Sequence, residues 1–200
     1  NGSAFQSLND EVHFMVKASQ PAYWRTNAYD QYTGSGWQQS ETKTEYAAPL
    51  DTPRTDSRVI QRVRLKQAAT SLPTAWQPRR VDSPAALEVT PMRAVHAADT
   101  LPAGTKYAVI SYRPPRDPAV LRAIGSDDPP GLHDKYTQLP SGERDAIEPV
   151  ATNITADATS RYETAKQVEA WLESTKNYSL SVPEPSTDGV ASQFITEMNA

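Results

Sequence analysis

Residues 58–66, Arg-Val-Ile-Gln-Arg-Val-Arg-Leu-Lys, set Val59, Val63 and Leu65 on one parity and Arg62, Arg64 and Lys66 on the other. Successive side chains of a strand point to opposite faces, so this stretch predicts a half-buried strand with a basic outer face. Similar runs lie on both sides. Val12–Ala18 mixes β-branched, aromatic and apolar residues over a strand length, and Ala86–Thr90, Ala94–Ala98 and Lys106–Tyr112 read as further strands. Pro91 and Pro102 fall at strand ends, where a missing ladder donor does no harm. Short strands with turns between them predict a sandwich or a curved antiparallel sheet over residues 1–113, and the pattern does not fix the strand order.

Tyr23–Tyr32 is aromatic and ends at Thr33-Gly34-Ser35-Gly36 before Trp37. A glycine pair there predicts a tight turn and a hairpin of Tyr23–Tyr32 with Trp37–Tyr46. Residues 114–140 then change character: Pro114, Pro115, Pro118, Pro129, Pro130 and Pro140 punctuate a connector with one short helix at Ala119–Ile124.

From Ser141 the pattern is helical. Glu143–Ala156 is a first helix that Pro149 should shorten or kink. Ser160 and Glu163 form a capping box for a second, in which Tyr162, Ala165, Val168, Trp171 and Leu172 share a face. Residues 177–182 read as extended. Asp188 can cap a last helix with Val190, Phe194 and Met198 at four-residue spacing. The fold class is therefore α+β: a β-rich domain at 1–113, a proline-rich connector at 114–140 and a helical segment at 141–200. The chain ends on a helical pattern without a stop signal, which predicts a piece of a longer protein.

Composition narrows the chemistry. The 200 residues contain no cysteine, so they supply no thiol nucleophile, disulfide or thiolate metal site. Residues 1–126 hold 15 basic and 11 acidic side chains, net +4, whereas 127–200 hold 5 and 13, net −8, an asymmetry that favours two units. No window approaches the ~20 apolar residues of a membrane-spanning helix. His13, His96 and His133 stand in separate segments without ligand spacing, so no metal or other cofactor is expected. A basic strand in a chain of net charge −4 gives no reason to expect nucleic acid. Asn1, Asn153 and Asn177 each open an N-glycosylation tripeptide, compatible with a surface protein.

Two blocks carry a family resemblance. Pro21-Ala22-Tyr23-Trp24-Arg25-Thr26, Tyr29-Asp30 and Tyr32-Thr33-Gly34-Ser35-Gly36-Trp37 form one; Tyr162–Lys166, Val168–Leu172, Asn177–Leu180 and Val190 with Phe194–Glu197 form the other. Together they resemble the membrane-anchored TgpA-type transglutaminase-like proteins of bacteria and archaea. The resemblance implies an extracytoplasmic β region followed by the opening helices of a transglutaminase-like core. In that family a Gly-x-Cys comes directly after the last helix, so the catalytic cysteine, histidine and aspartate would lie beyond Ala200. No catalytic residue can then be assigned within the chain. The implied partners are the parent's own core and membrane helices, with a protein, peptide or glycan as substrate and the membrane as tether. Five aromatics crowd residues 23–37, and Tyr23, Trp24 and Trp37 are the candidate substrate-contacting residues. They form either a stacking platform for sugar or peptide or the packing of a hairpin.

Overall fold

The computed structural model describes residues 10–39, 42–51, 55, 57–125, 127–128, 136–177 and 189–196. The chain divides into two compact units, one comprising Asn9–Tyr29 and Gln39–Pro115, the other Asp30–Gln38 and Arg116–Ala200 together with the N-terminal octapeptide.

In the β unit, strands β1 (Phe14–Ala18), β6 (Arg58–Leu65), β12 (Lys106–Tyr112) and β9 (Pro78–Asp82) form one antiparallel sheet in the order β1-β6-β12-β9. Strands β5 (Thr44–Glu45), β10 (Leu87–Val89), β11 (Val95–Leu101) and β7 (Ala69–Leu72) form a second, in the order β5-β10-β11-β7. The inward residues Val63, Leu65, Val81, Tyr107 and Val109 of the first sheet share one core with Leu72, Leu87, Val95, Ala97 and Leu101 of the second. The result is a sandwich. The expected parity of β6 holds along its length, with Val59, Val63 and Leu65 buried and Arg58, Arg62 and Arg64 exposed. Truncating a central side chain such as Leu72 costs about 2–5 kcal/mol, because the close-packed surroundings only partly collapse.

Two polar devices tie the core. Gln61, fully buried on β6, donates from Nε2 to Ser111 Oγ (2.9 Å) and accepts at Oε1 from the Ala75 amide (2.8 Å). Ser111 Oγ in turn donates to the Ala75 carbonyl (2.8 Å), closing a ring that joins β6 and β12 to β8 (Thr74–Ala75). Burial holds the Tyr107 phenol well above its ordinary pKa, and the hydroxyl donates to the Pro73 carbonyl (2.8 Å).

The expected long hairpin does not form. Trp24–Arg25 (β2) pairs with β8, and Thr44–Glu45 pairs with β10. Only Gln31–Tyr32 (β3) and Trp37–Gln38 (β4) face each other across the glycine turn. Aromatic richness alone does not set a register; the strands go to whichever partner completes a buried face. β7, β8 and β9 lie where no strand is expected from the pattern, since Pro73 and Pro78 break the run into short pieces.

In the helical unit, α1 (Pro118–Arg122) has Asp117 as N-cap, its carboxylate accepting from the Ala119 amide at 2.8 Å. α2 (Ser141–Ile154) continues through Pro149, which removes one helical donor without ending the helix. α3 (Arg161–Thr175) starts at the expected capping box, Ser160 Oγ accepting from the Glu163 amide at 3.2 Å. Glu163 reaches one residue further back than expected, to the Thr159 amide at 3.0 Å. Its hydrogen bonds to Thr159 and the ion pair from Arg122 (3.2 Å) hold its carboxyl below the usual range. α4 is Val190–Thr196. The expected extended stretch at 178–182, the Asp188 cap and Met198 lie outside the described residues.

Candidate functional site

Seven residues cannot hold a helix in water on their own, because a short helix never repays its nucleation. The helical unit supplies α4 with partners at both ends. At its start the Gly189 and Val190 amides both donate to the Gly34 carbonyl (3.0 Å each). The Ala191 amide donates to the Tyr32 hydroxyl (3.1 Å), and the Ser192 amide donates to Glu143 Oε2 (2.6 Å). These four consecutive amides are the ones a helix start leaves unpaired, and here the β3–β4 hairpin and α2 cap them in trans.

Tyr32 and Glu143 form the centre. The Tyr32 hydroxyl lies 2.9 Å from Glu143 Oε1 and 3.0 Å from the Gly34 carbonyl while accepting from Ala191. It has one proton for two acceptors, and the charged carboxylate makes the stronger bond. Burial raises the phenol's pKa above its ordinary value; the neighbouring carboxylate adds to this and the Ala191 amide opposes it, so the group stays a donor. Glu143 is 3% exposed. Its negative charge also sits at the positive end of the α4 dipole.

Backbone geometry explains the glycines. Gly34 has φ of 91°, a left-handed conformation, and a Cβ there would lie 3.4 Å from Pro140 Cγ. Gly189, with φ of 111°, would bring a Cβ within 3.2 Å of Ser192 Oγ, against the cap itself. At the far end of α4, Lys176 Nζ donates to the Ile195 carbonyl (3.3 Å) and lies over the rings of Trp171 (5.5 Å) and Phe194 (5.2 Å). A cation at a helix C-terminus complements the dipole and joins α4 to the end of α3.

The three residues singled out from sequence do not gather in either unit. Tyr23 projects from the β unit, 86% exposed, and Trp24 is half-buried in β2 beside it. Trp37 belongs to the helical unit, 60% exposed, its ring 5.3 Å from that of Tyr32 at an interplanar angle of 50°. The neighbour of Trp24 is more unusual. The Arg25 guanidinium lies 3.8 Å over the Trp76 ring, its three nitrogens are shielded from solvent, and among the described residues none has a hydrogen-bond partner. Burial lowers its pKa to about 10.

Glu143 itself is not recognisable from sequence as a site residue. It stands at the start of a helix, where acidic residues are common, and its partners lie more than 45 residues away on either side. The only local signals are the glycines at 34 and 189.

A sandwich with an aromatic hairpin committed to a separate helical unit defines the class, and the family follows from comparison. The chain belongs to the TgpA N-terminal domain family, whose model matches residues 3–118. Two solved structures share its fold beyond that range. The periplasmic domain of TgpA from Pseudomonas aeruginosa is 16% identical with a TM-score of 0.68, over 99% of this chain and 68% of that one. The same domain bound to ethylmercury is 17% identical with a TM-score of 0.65, over 96% of this chain and 67% of that one. No curated protein matches the chain.

Proposed function

We propose that this chain is the extracytoplasmic N-terminal part of a TgpA-type protein, and that it supports and orients a transglutaminase-like core that follows it. The core's chemistry would be cysteine-dependent acyl transfer or hydrolysis at a protein or peptide amide, with a membrane tether supplied by the parent. The cap on α4 carries the reading. The segment 30–38 is covalently continuous with the β unit at both ends, yet it belongs to the helical unit and fixes the start of α4 through Gly34 and Tyr32. In the family pattern α4 is the helix that runs into Gly-x-Cys. A thiol placed there depends on the direction of α4, and a displacement of about 1 Å can cost a hundredfold in rate. No thiol can come from these 200 residues, which contain no cysteine.

The test is amine incorporation and amide hydrolysis by a longer protein that includes the residues after Ala200. Activity that requires a cysteine shortly after α4, and that falls when residues 1–118 are deleted, supports the reading. A downstream sequence without that cysteine, or activity indifferent to the deletion, overturns it.

A second reading has its own observation: Tyr23, Tyr29 and Trp37 are 86, 61 and 60% exposed. Such rings suit stacking on a glycan or peptide. Glycan or peptide binding abolished by Trp24→Ala or Trp37→Ala in a folded chain, with no enzymatic activity in the longer protein, would favour a binding module instead.

A further inference from the structure

The outer face of the β1-β6-β12-β9 sheet carries Lys17, Arg58, Arg62, Arg64, Arg80 and Lys106, all exposed. Asp82 is the one acid among the outward strand residues of this face. The register sets like charges side by side: Lys17 is opposite Arg62, and Arg64 is opposite Lys106. Like charges directly across a ladder are destabilising. None of the six cations makes an ion pair among the described residues, although Asp82 stands one strand away from Arg62 across Ala108. The small Ala108 leaves a shallow groove of about 380 Å³ bounded by Arg62, Arg64, Lys106 and Asp82.

We propose that this face docks on the surface of a bilayer containing anionic phospholipid. The shape of the charge pattern selects the occupant. Strands are spaced about 4.8 Å apart and rise about 3.4 Å per residue, so the cations cover a patch of roughly 14 by 20 Å. A linear polyanion would ask for a single file, whereas a lipid surface is planar and adjusts its headgroups to charges spread in two dimensions. Met15 and Ile60, 56 and 39% exposed, lie among the cations on the same face and add apolar contact at the headgroup boundary. The groove over Ala108 admits a phosphodiester between the guanidinium groups of Arg62 and Arg64.

Co-sedimentation of the full 200-residue chain with vesicles of phosphatidylglycerol and phosphatidylcholine, against vesicles of phosphatidylcholine alone, tests this. Binding is expected only to the anionic vesicles, weakening as salt rises toward physiological strength. Each cation near such a surface contributes about fivefold, so Arg62→Gln/Arg64→Gln/Lys106→Gln should weaken binding about a hundredfold. The substitutions remove exposed like charges that face one another across the ladders, so the urea midpoint of the variant should be no lower than that of the parent, which separates lost binding from lost folding. Lys166→Gln, on α3, should leave binding unchanged. Absence of binding to the anionic vesicles overturns the proposal. So does binding that the triple variant retains, or equally tight binding to soluble poly-aspartate.

Discussion

Replacing Glu143 with alanine removes the acceptor for the Ser192 amide (2.6 Å) and for the Tyr32 hydroxyl (2.9 Å), both inside the helical unit. Leaving the Ser192 amide unpaired where water is excluded costs about 1–3 kcal/mol. Loss of the carboxylate from the helix start costs about 0.3–1 kcal/mol more. Tyr32 still has the Gly34 carbonyl at 3.0 Å, so its hydroxyl adds little. The sum for Glu143→Ala is about 1–4 kcal/mol, taken from the helical unit alone. Glu143→Gln differs in one respect that matters. Its amide oxygen can still accept from Ser192, and its NH2 can donate to Tyr32, which then donates to Gly34. Only the charge is lost, for about 0.3–1 kcal/mol. Urea unfolding of parent, Gln and Ala variants, followed by helical circular dichroism, should rank them in that order with at least about 1 kcal/mol between the two variants. Equal losses for Gln and Ala would refute hydrogen-bond capping as the source of the stability. Losses within error of zero would refute the cap altogether.

Gln61→Leu should destabilise the β unit by about 2–4 kcal/mol, because the Ala75 amide and Ser111 hydroxyl lose their buried partner; a neutral urea midpoint would sink the ring as a stabilising device. Arg25→Met should raise the stability of the β unit by about 1–3 kcal/mol, since it removes a buried charge that has no partner among the described residues while keeping contact with Trp76. A loss of stability on that substitution would show that the guanidinium has an anionic partner. His96 is buried on β11, with burial first and Lys43 second lowering its pKa against the opposing effect of Glu88. The unfolded chain therefore binds the proton more readily, so the stabilisation is full above the ordinary histidine value and is lost as pH falls through the lowered one. Thermal unfolding at about pH 7.5 and about pH 5 should show a drop that His96→Gln reduces; an equal drop in both proteins would exclude His96 as the cause.

The clearest parts of the fold were written in side-chain period. The alternation at 59–65 and the run at 106–112 predicted β6 and β12 because one face of each meets a core and the other meets water. The Ser160 cap was equally plain, since a capping box is a local device. What stayed hidden depends on distant partners. Gln61 sits at an inward position of β6 and gives no sign that Ser111 and Ala75 satisfy it there. Tyr23–Tyr32 looked like one strand, yet its two ends serve different units, and only the packing of the finished fold decides that. Crowding in sequence marks Tyr23, Trp24 and Trp37, whereas α4 is capped by Tyr32 and Gly34 from one stretch and by Glu143 from another, 111 positions from Tyr32.

Hydrogen exchange at the Gly189, Val190, Ala191 and Ser192 amides, in the parent chain and in Tyr32→Phe, tests the capping of α4 most directly. All four should be protected in the parent, as expected of amides that donate to buried or half-buried acceptors. In Tyr32→Phe the Ala191 amide loses its acceptor, and its exchange should quicken about 5- to 150-fold, matching the about 1–3 kcal/mol cost of an unpaired amide. Unprotected amides in the parent, or an Ala191 rate that the substitution does not change, would contradict the account.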